Sequence, residues 1–105
     1  MSEHEYGIQE GKVYTFKFNS GEEMIGKVSG LLQGNWFEVE EPLSVAPNAK
    51  GMGLIPSLFT SDPSSPVKIN MNSLAMYCAA EDSIKMKYLE ATTGIKVPDK
   101  KIILG

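Results

Sequence analysis

The chain has 105 residues, 42% of them hydrophobic, which supports one small core and leaves no room for a second domain. Thirteen Asp and Glu against ten basic residues give a net charge of −3, which opposes tight nonspecific binding to duplex nucleic acid. All ten basic residues are Lys, so no guanidinium fork exists to grip phosphate or guanine with two parallel hydrogen bonds.

The lone cysteine, Cys78, rules out an intrachain disulfide framework and points to a reducing compartment. No Cys/His spacing suggests zinc, and no cofactor is expected. Residues 1–10 are polar and acidic, lack the basic and apolar regions of a signal peptide, and read as a flexible N-terminal tail. No apolar run reaches the roughly 18 residues that span a bilayer, so no membrane partner is expected and the predicted location is cytoplasmic.

A single domain is expected over 11–105. Its first strand starts at Val13, with Tyr14, Phe16 and Phe18 on one face and Val13, Thr15 and Lys17 on the other. Asn19-Ser20-Gly21 is turn chemistry, because Gly accepts positive φ without steric cost. The second strand, Glu22 to Leu31, carries Gly26 and Gly30, which mark sharp bends or close backbone approach. A third strand is predicted from Trp36 to Val45. Residues 46–66 form a long loop, in which Leu54 to Phe59 is an edge segment interrupted by Pro56, and Ser61 to Pro66 is a turn. Val67 to Ala79 alternates twice around Asn72-Ser73, as two short strands with a sharp bend between them. A helix is predicted over about 82–93, capped by Asp82 or Ser83 and ended by Gly94, with Ile84, Tyr88 and Ala91 on one face. The apolar Ile102-Ile103-Leu104 is expected to dock on the barrel or a neighbour. The predicted class is mainly β: a small, strongly bent open barrel of five strands with a C-terminal helix.

The strand, the Asn19-Ser20-Gly21 turn, Gly26 five residues later, and the polar turn Gln33-Gly34-Asn35 together resemble the first motif of the Sm-like family, ring-forming RNA-binding proteins. Ile69 to Leu74 keeps the spacing of that family's second motif, with Asn70-Met71 where the family has Arg-Gly; the Asp of the first motif is missing. The wider pattern is similar to an uncharacterised group of small phage and marine-metagenome barrels. It comprises G-E-E-x-I-G-K-V from Gly21, E-x-P-L from Glu40, a late helix bearing Tyr88, T-G-I from Thr93 and K-I-I-L near the end. The resemblance implies a closed homo-oligomeric ring of five to seven subunits, in which the strand before the sharp bend pairs with the strand after it in a neighbour. Closure removes sheet edges that would otherwise aggregate. It also implies a location in the bacterial host cytoplasm if the source is a phage. Sm-like proteins carry their helix before the first strand; here it comes late, and it is expected to cover an open end of the barrel.

Catalytic chemistry is thin. His4 stands alone without the partners that a catalytic imidazole needs. Cys78, in an alternating strand, reads as an inert core residue. Glu38 and Glu40 fall on a solvated strand face, and with Glu41 they are a weaker candidate for a cation site than for simple solvation. Gly51-Met52-Gly53 lacks the helix and Lys of a phosphate loop. No enzyme is expected; a hydrolase would require paired carboxylates in a cleft. The expected surface is for single-stranded nucleic acid, RNA before DNA. Trp36 stacks on a base, Asn35 reads its edge, Asn70, Met71 and Asn72 close the pocket, and Lys68 attracts phosphate. The competing readings give Trp36 a packing role and the asparagines turn roles. The expected function is a non-catalytic RNA chaperone or processing accessory; the alternative is a phage assembly or protein-interaction module that uses the ring without a nucleotide pocket.

Overall fold

In the computed structural model, residues 7–62 and 64–93 are described. The elements are β1 (Val13–Phe18), β2 (Glu23–Leu31), β3 (Trp36–Asn48), β4 (Gly51–Pro56), β5 (Val67–Asn70), a 3-10 turn (Met71–Ser73), β6 (Leu74–Ala79) and α1 (Asp82–Thr93). All strand pairs are antiparallel, in the order β4-β3-β2-β1-β6, with β5 also on β3. At 13 residues β3 is long enough to serve two partners: Trp36 to Val39 pair with β5 and Leu43 to Asn48 with β4. The path β5-β3-β2-β1-β6 rolls up until its two ends are joined through the 3-10 turn rather than by a ladder. The result is the expected small open barrel with a C-terminal helix.

Six strands form where five were expected, because the predicted loop at 46–66 contains a hairpin. Gly51, at φ 123°, turns the chain, and the Asn48 side-chain oxygen accepts from the Lys50 N–H at 2.8 Å. The edge strand therefore begins at Gly51, three residues before the predicted start, and stops at Pro56. The Ser57 N–H donates to the Pro42 carbonyl, so the N–H groups of Gly53 and Ile55 also face β3. Those of Met52 and Leu54 face outward, and the donor that Pro56 lacks falls on the open edge, where it costs no ladder bond.

Two irregularities bend β2 and β3. Ile25 pairs with Leu43 but Lys27 pairs with Glu40, so β3 carries one extra residue there. Glu41 takes it up at φ 42°, the only positive φ outside glycine among the described residues. Between Val28 and Gly30 the extra residue lies on β2 instead. Gly26 sits inside the first bend, and a Cβ on it would overlap Val39 Cγ1. Glycine is required there for close approach.

The alternation of β1 separates two cores. Inside the barrel, Tyr14, Phe16, Met24, Val28, Phe37, Val39, Ile69 and Met71 pack together, with the Phe16 and Phe37 rings 5.4 Å apart. On the outer face Val13, Ile25 and Leu43 are covered by Tyr88, with Ile84, Leu89 and Ala91 of α1 alongside. The helix thus lies on the outside of the sheet and not over a barrel end. Val13 and Ile25 are apolar on the face away from the inner core, and the helix removes them from water.

Residues 7–10 belong to the domain rather than to a tail. Ile8 is fully buried in the inner core, and the Gln9 N–H donates to the Tyr14 hydroxyl at 2.9 Å. The remainder of the predicted tail, residues 1–6, lies outside the described residues, as do Gly94 and the apolar Ile102-Ile103-Leu104. The Glu81 carbonyl accepts from the Lys85 N–H, which makes Glu81 the first acceptor of α1 and places Asp82 in the first turn.

Candidate nucleic-acid interface

The β3–β5 ladder brings the predicted surface residues together. Trp36 is directly opposite Asn70, and Glu38 is directly opposite Lys68. Because Phe37 and Ile69 point into the core, these four residues share the outer face. Asn35 precedes Trp36 in a turn shaped by Gly34 at φ 69°, and its carbonyl accepts from the Met71 N–H at 2.6 Å. That bond ties the β2–β3 turn to the 3-10 turn, although the two lie far apart in sequence.

The members of this group differ in what they offer a ligand. Trp36 is 44% exposed, so much of its ring meets solvent. Asn72 is exposed, and its backbone carbonyl accepts from the Asn19 side chain at 2.9 Å. The Asn70 side-chain oxygen accepts from the Asn72 N–H at 2.8 Å and its backbone carbonyl from the Ser73 hydroxyl at 2.7 Å, so Asn70 caps the 3-10 turn. Met71 is 9% exposed and packs in the inner core, and it also forms part of the wall of a groove beside Asn72. The sharp bend turns its side chain inward between Asn70 and Asn72. Lys68 is exposed, but with Glu38 across from it on the same face its pull on phosphate is reduced.

Sequence reasoning treated Asn19 only as a turn residue. In the structure it joins the β1–β2 turn to the 3-10 turn through its side chain and through its N–H, which donates to the Ser73 carbonyl at 2.8 Å. No local pattern signals that contact, because the partners are more than fifty residues apart. A groove of about 400 Å³ is lined by Met71, Asn72, Leu74, Ala75, Met76 and Tyr77.

Other candidates fall elsewhere. Cys78 is exposed, contrary to its expected place in the core, since alternation along β6 puts it on the outer face beyond the cover of α1. His4 lies outside the described residues. Among the described residues no three His, Cys, Asp or Glu side chains cluster as metal ligands would. No helix among them is long and apolar enough to cross a membrane.

A separate recess of about 340 Å³ lies between α1 and the β3 bulge, lined by Lys27, Glu40, Glu41, Ser64, Tyr88 and Thr92 among others. The Tyr88 hydroxyl donates to the Glu40 carbonyl and accepts from the Lys27 N–H. Burial pushes its pKa up to about 12, with the Glu41 and Glu40 charges adding to the rise and the Lys27 hydrogen bond opposing it. Its proton is therefore held at neutral pH, which suits a fixed donor and not a nucleophile. Nearby, the Asp62 carboxylate is held below its ordinary pKa by hydrogen bonds from the Ser64 N–H, the Ser64 hydroxyl and the Ser65 hydroxyl.

Fold and surface together define a small open β-barrel with an outer helix and one aromatic and amide-lined end. Compared with known proteins, the chain matches no family model and no curated protein sequence.

Proposed function

We propose that this protein is an Sm-like barrel that assembles into a closed homo-oligomeric ring and binds single-stranded nucleic acid, RNA before DNA, without catalysis. The observation that carries this reading is the half-exposed Trp36 opposite Asn70, next to the 3-10 turn to which the β2–β3 turn and the β1–β2 turn are both hydrogen-bonded. An exposed indole stacks on any base, and amides beside it read a base edge; neither needs the arginines that the chain lacks. Within the surface, Trp36 is the stacking platform, and Asn35 and Asn72 are the edge readers. Asn70 and Met71 hold the 3-10 turn in place, and Lys68 gives modest attraction.

Assembly is supported by the two sheet edges that flank the 3-10 turn. The Met71 N–H points at Asn35, so the N–H groups of Lys68 and Asn70 face away from β3. On β6 the Ala80 N–H points at Val13, so those of Tyr77 and Ala79 face away from β1. β6 carries no charge, and Met76 on it is 64% exposed, an edge that natural sheets pair or protect. Pairing β5 of one subunit with β6 of the next is head-to-tail and closes into a ring.

Native mass spectrometry with and without a short uridine-rich or adenosine-rich RNA tests the reading. A single closed oligomer that gains RNA supports it. A ring that ignores RNA at low and moderate salt removes the nucleotide function and leaves a protein-interaction or assembly module. A monomer in every condition removes the ring.

A further inference from the structure

We infer that the outer edge of β4 is a second self-association surface, pairing antiparallel with β4 of another copy across a two-fold axis. This contact is separate from the proposed β5–β6 ring contact and stands without it.

Three observations carry the inference. First, β4 ends the strand order, and no described strand covers its outer side. Its exposed row has the Met52 and Leu54 N–H groups and the carbonyls of Met52, Leu54 and Pro56. In a two-fold pairing centred on Leu54, the Leu54 groups of the two copies bond each other, and each Met52 N–H meets the Pro56 carbonyl of the other strand. The missing donor of Pro56 is tolerated at the end of such a ladder. Second, Met52, Ile55, Leu58 and Phe59 are all large, apolar and exposed within eight residues, and Phe59 is 78% exposed. Third, no Lys, Asp or Glu occurs from Gly51 to Ser61, so this edge lacks the charged residues that normally block pairing.

The neutrality of the edge selects the occupant. An isologous contact brings each residue near its own counterpart, so any charge on it would face a like charge. A neutral apolar strand meets no such repulsion from a second copy. It also offers no electrostatic complement to nucleic acid or to a charged peptide. Leu58 also lines a cleft of about 180 Å³ together with Phe18, Glu22, Met24, Val67 and Ile69.

The test compares the wild type with an Ile55→Lys/Phe59→Lys double variant by native mass spectrometry and residue-resolved hydrogen exchange. Both substituted side chains are exposed, and circular dichroism checks that the fold persists. The expected result is an even-numbered wild-type assembly whose mass halves in the variant. The Met52 and Leu54 amides should exchange about tenfold or more faster in the variant, while those of Gly53 and Ile55, bonded to β3, stay protected in both. A mass that the variant leaves unchanged overturns the proposal, as does a wild type whose Met52 and Leu54 amides exchange freely at every concentration. Protected amides in a monomer also overturn it, since the edge is then covered by its own chain. A Met76→Lys variant separates this contact from the ring: it leaves β4-paired dimers if both contacts exist, and its failure to change the mass bears on the ring alone.

Discussion

The Tyr88 hydroxyl donates to the backbone carbonyl of Glu40, 48 residues earlier and the register partner of Lys27 beside the β3 bulge. It also accepts from the Lys27 N–H at 3.1 Å, so one side chain bridges the two strands where the extra residue, Glu41, pushes them out of step. The bulge and the helix are therefore one device. The irregularity opens a gap in the ladder, and the helix supplies the hydroxyl that fills it.

Tyr88→Phe keeps the ring and the outer-face packing but leaves that gap unfilled. Urea unfolding should show a loss of about 1–3 kcal/mol, the cost of leaving buried backbone groups unpaired. The pH dependence has a definite sign. The folded pKa, about 12, lies above the ordinary value of 10.0, so the contribution is complete below pH 10 and is lost as pH rises toward 12. The stability gap between wild type and Tyr88→Phe should narrow across that window.

Gly26→Ala places a methyl group where Val39 Cγ1 already sits. Thermal and urea unfolding should register a destabilisation of about 1–3 kcal/mol, as expected for overpacking a tight site. Val39→Ala made in the Gly26→Ala background should recover part of the loss, because the methyl groups compete for one space.

Trp36→Ala and Met71→Ala separate binding from folding. Trp36 is half exposed, so its replacement should leave unfolding nearly unchanged while weakening oligonucleotide binding by about 1–3 kcal/mol. Met71 is buried, and Met71→Ala should cost about 2–5 kcal/mol of stability. Fluorescence titration and denaturant melts of the two variants check both halves; a Trp36→Ala protein that binds as the wild type does gives the indole a packing role only.

Asn70→Ala removes the cap on the 3-10 turn. A destabilisation of about 0.5–2 kcal/mol is expected. Asn70→Asp, which keeps the acceptor oxygen, should restore most of it. If Asn70 instead acted mainly by reading a base, the Asp variant would keep the binding defect while regaining stability, and parallel binding and unfolding measurements distinguish the two.

Local chemistry made much of the architecture legible. The alternation of Val13 to Phe18 marked β1 with its observed limits, and the i, i+4, i+7 spacing of Ile84, Tyr88 and Ala91 marked α1 over its observed residues. Asn72-Ser73 signalled the bend that became the 3-10 turn, because amides and hydroxyls bond nearby backbone. Turn chemistry and the Sm-like resemblance also grouped Asn35, Trp36, Lys68, Asn70 and Asn72, and the β3–β5 ladder sets Trp36 opposite Asn70. What each residue does there was less visible. Met71 reads as one more apolar residue between two asparagines, and only the direction of the bend sends it into the core.

Residue order alone determined the periodicities, the turns and the positions where glycine had to stand, since each depends on the backbone preferences of a few neighbouring residues. Tertiary structure decided which sheet face the helix covers, that Ile8 closes the inner core, that β3 serves both β4 and β5, and that Cys78 is left exposed. Those outcomes depend on which apolar surfaces find each other across tens of residues. Tyr88 joins the two levels: its helical position is local, while its hydroxyl has a purpose only because Glu41 breaks the ladder 47 residues before it.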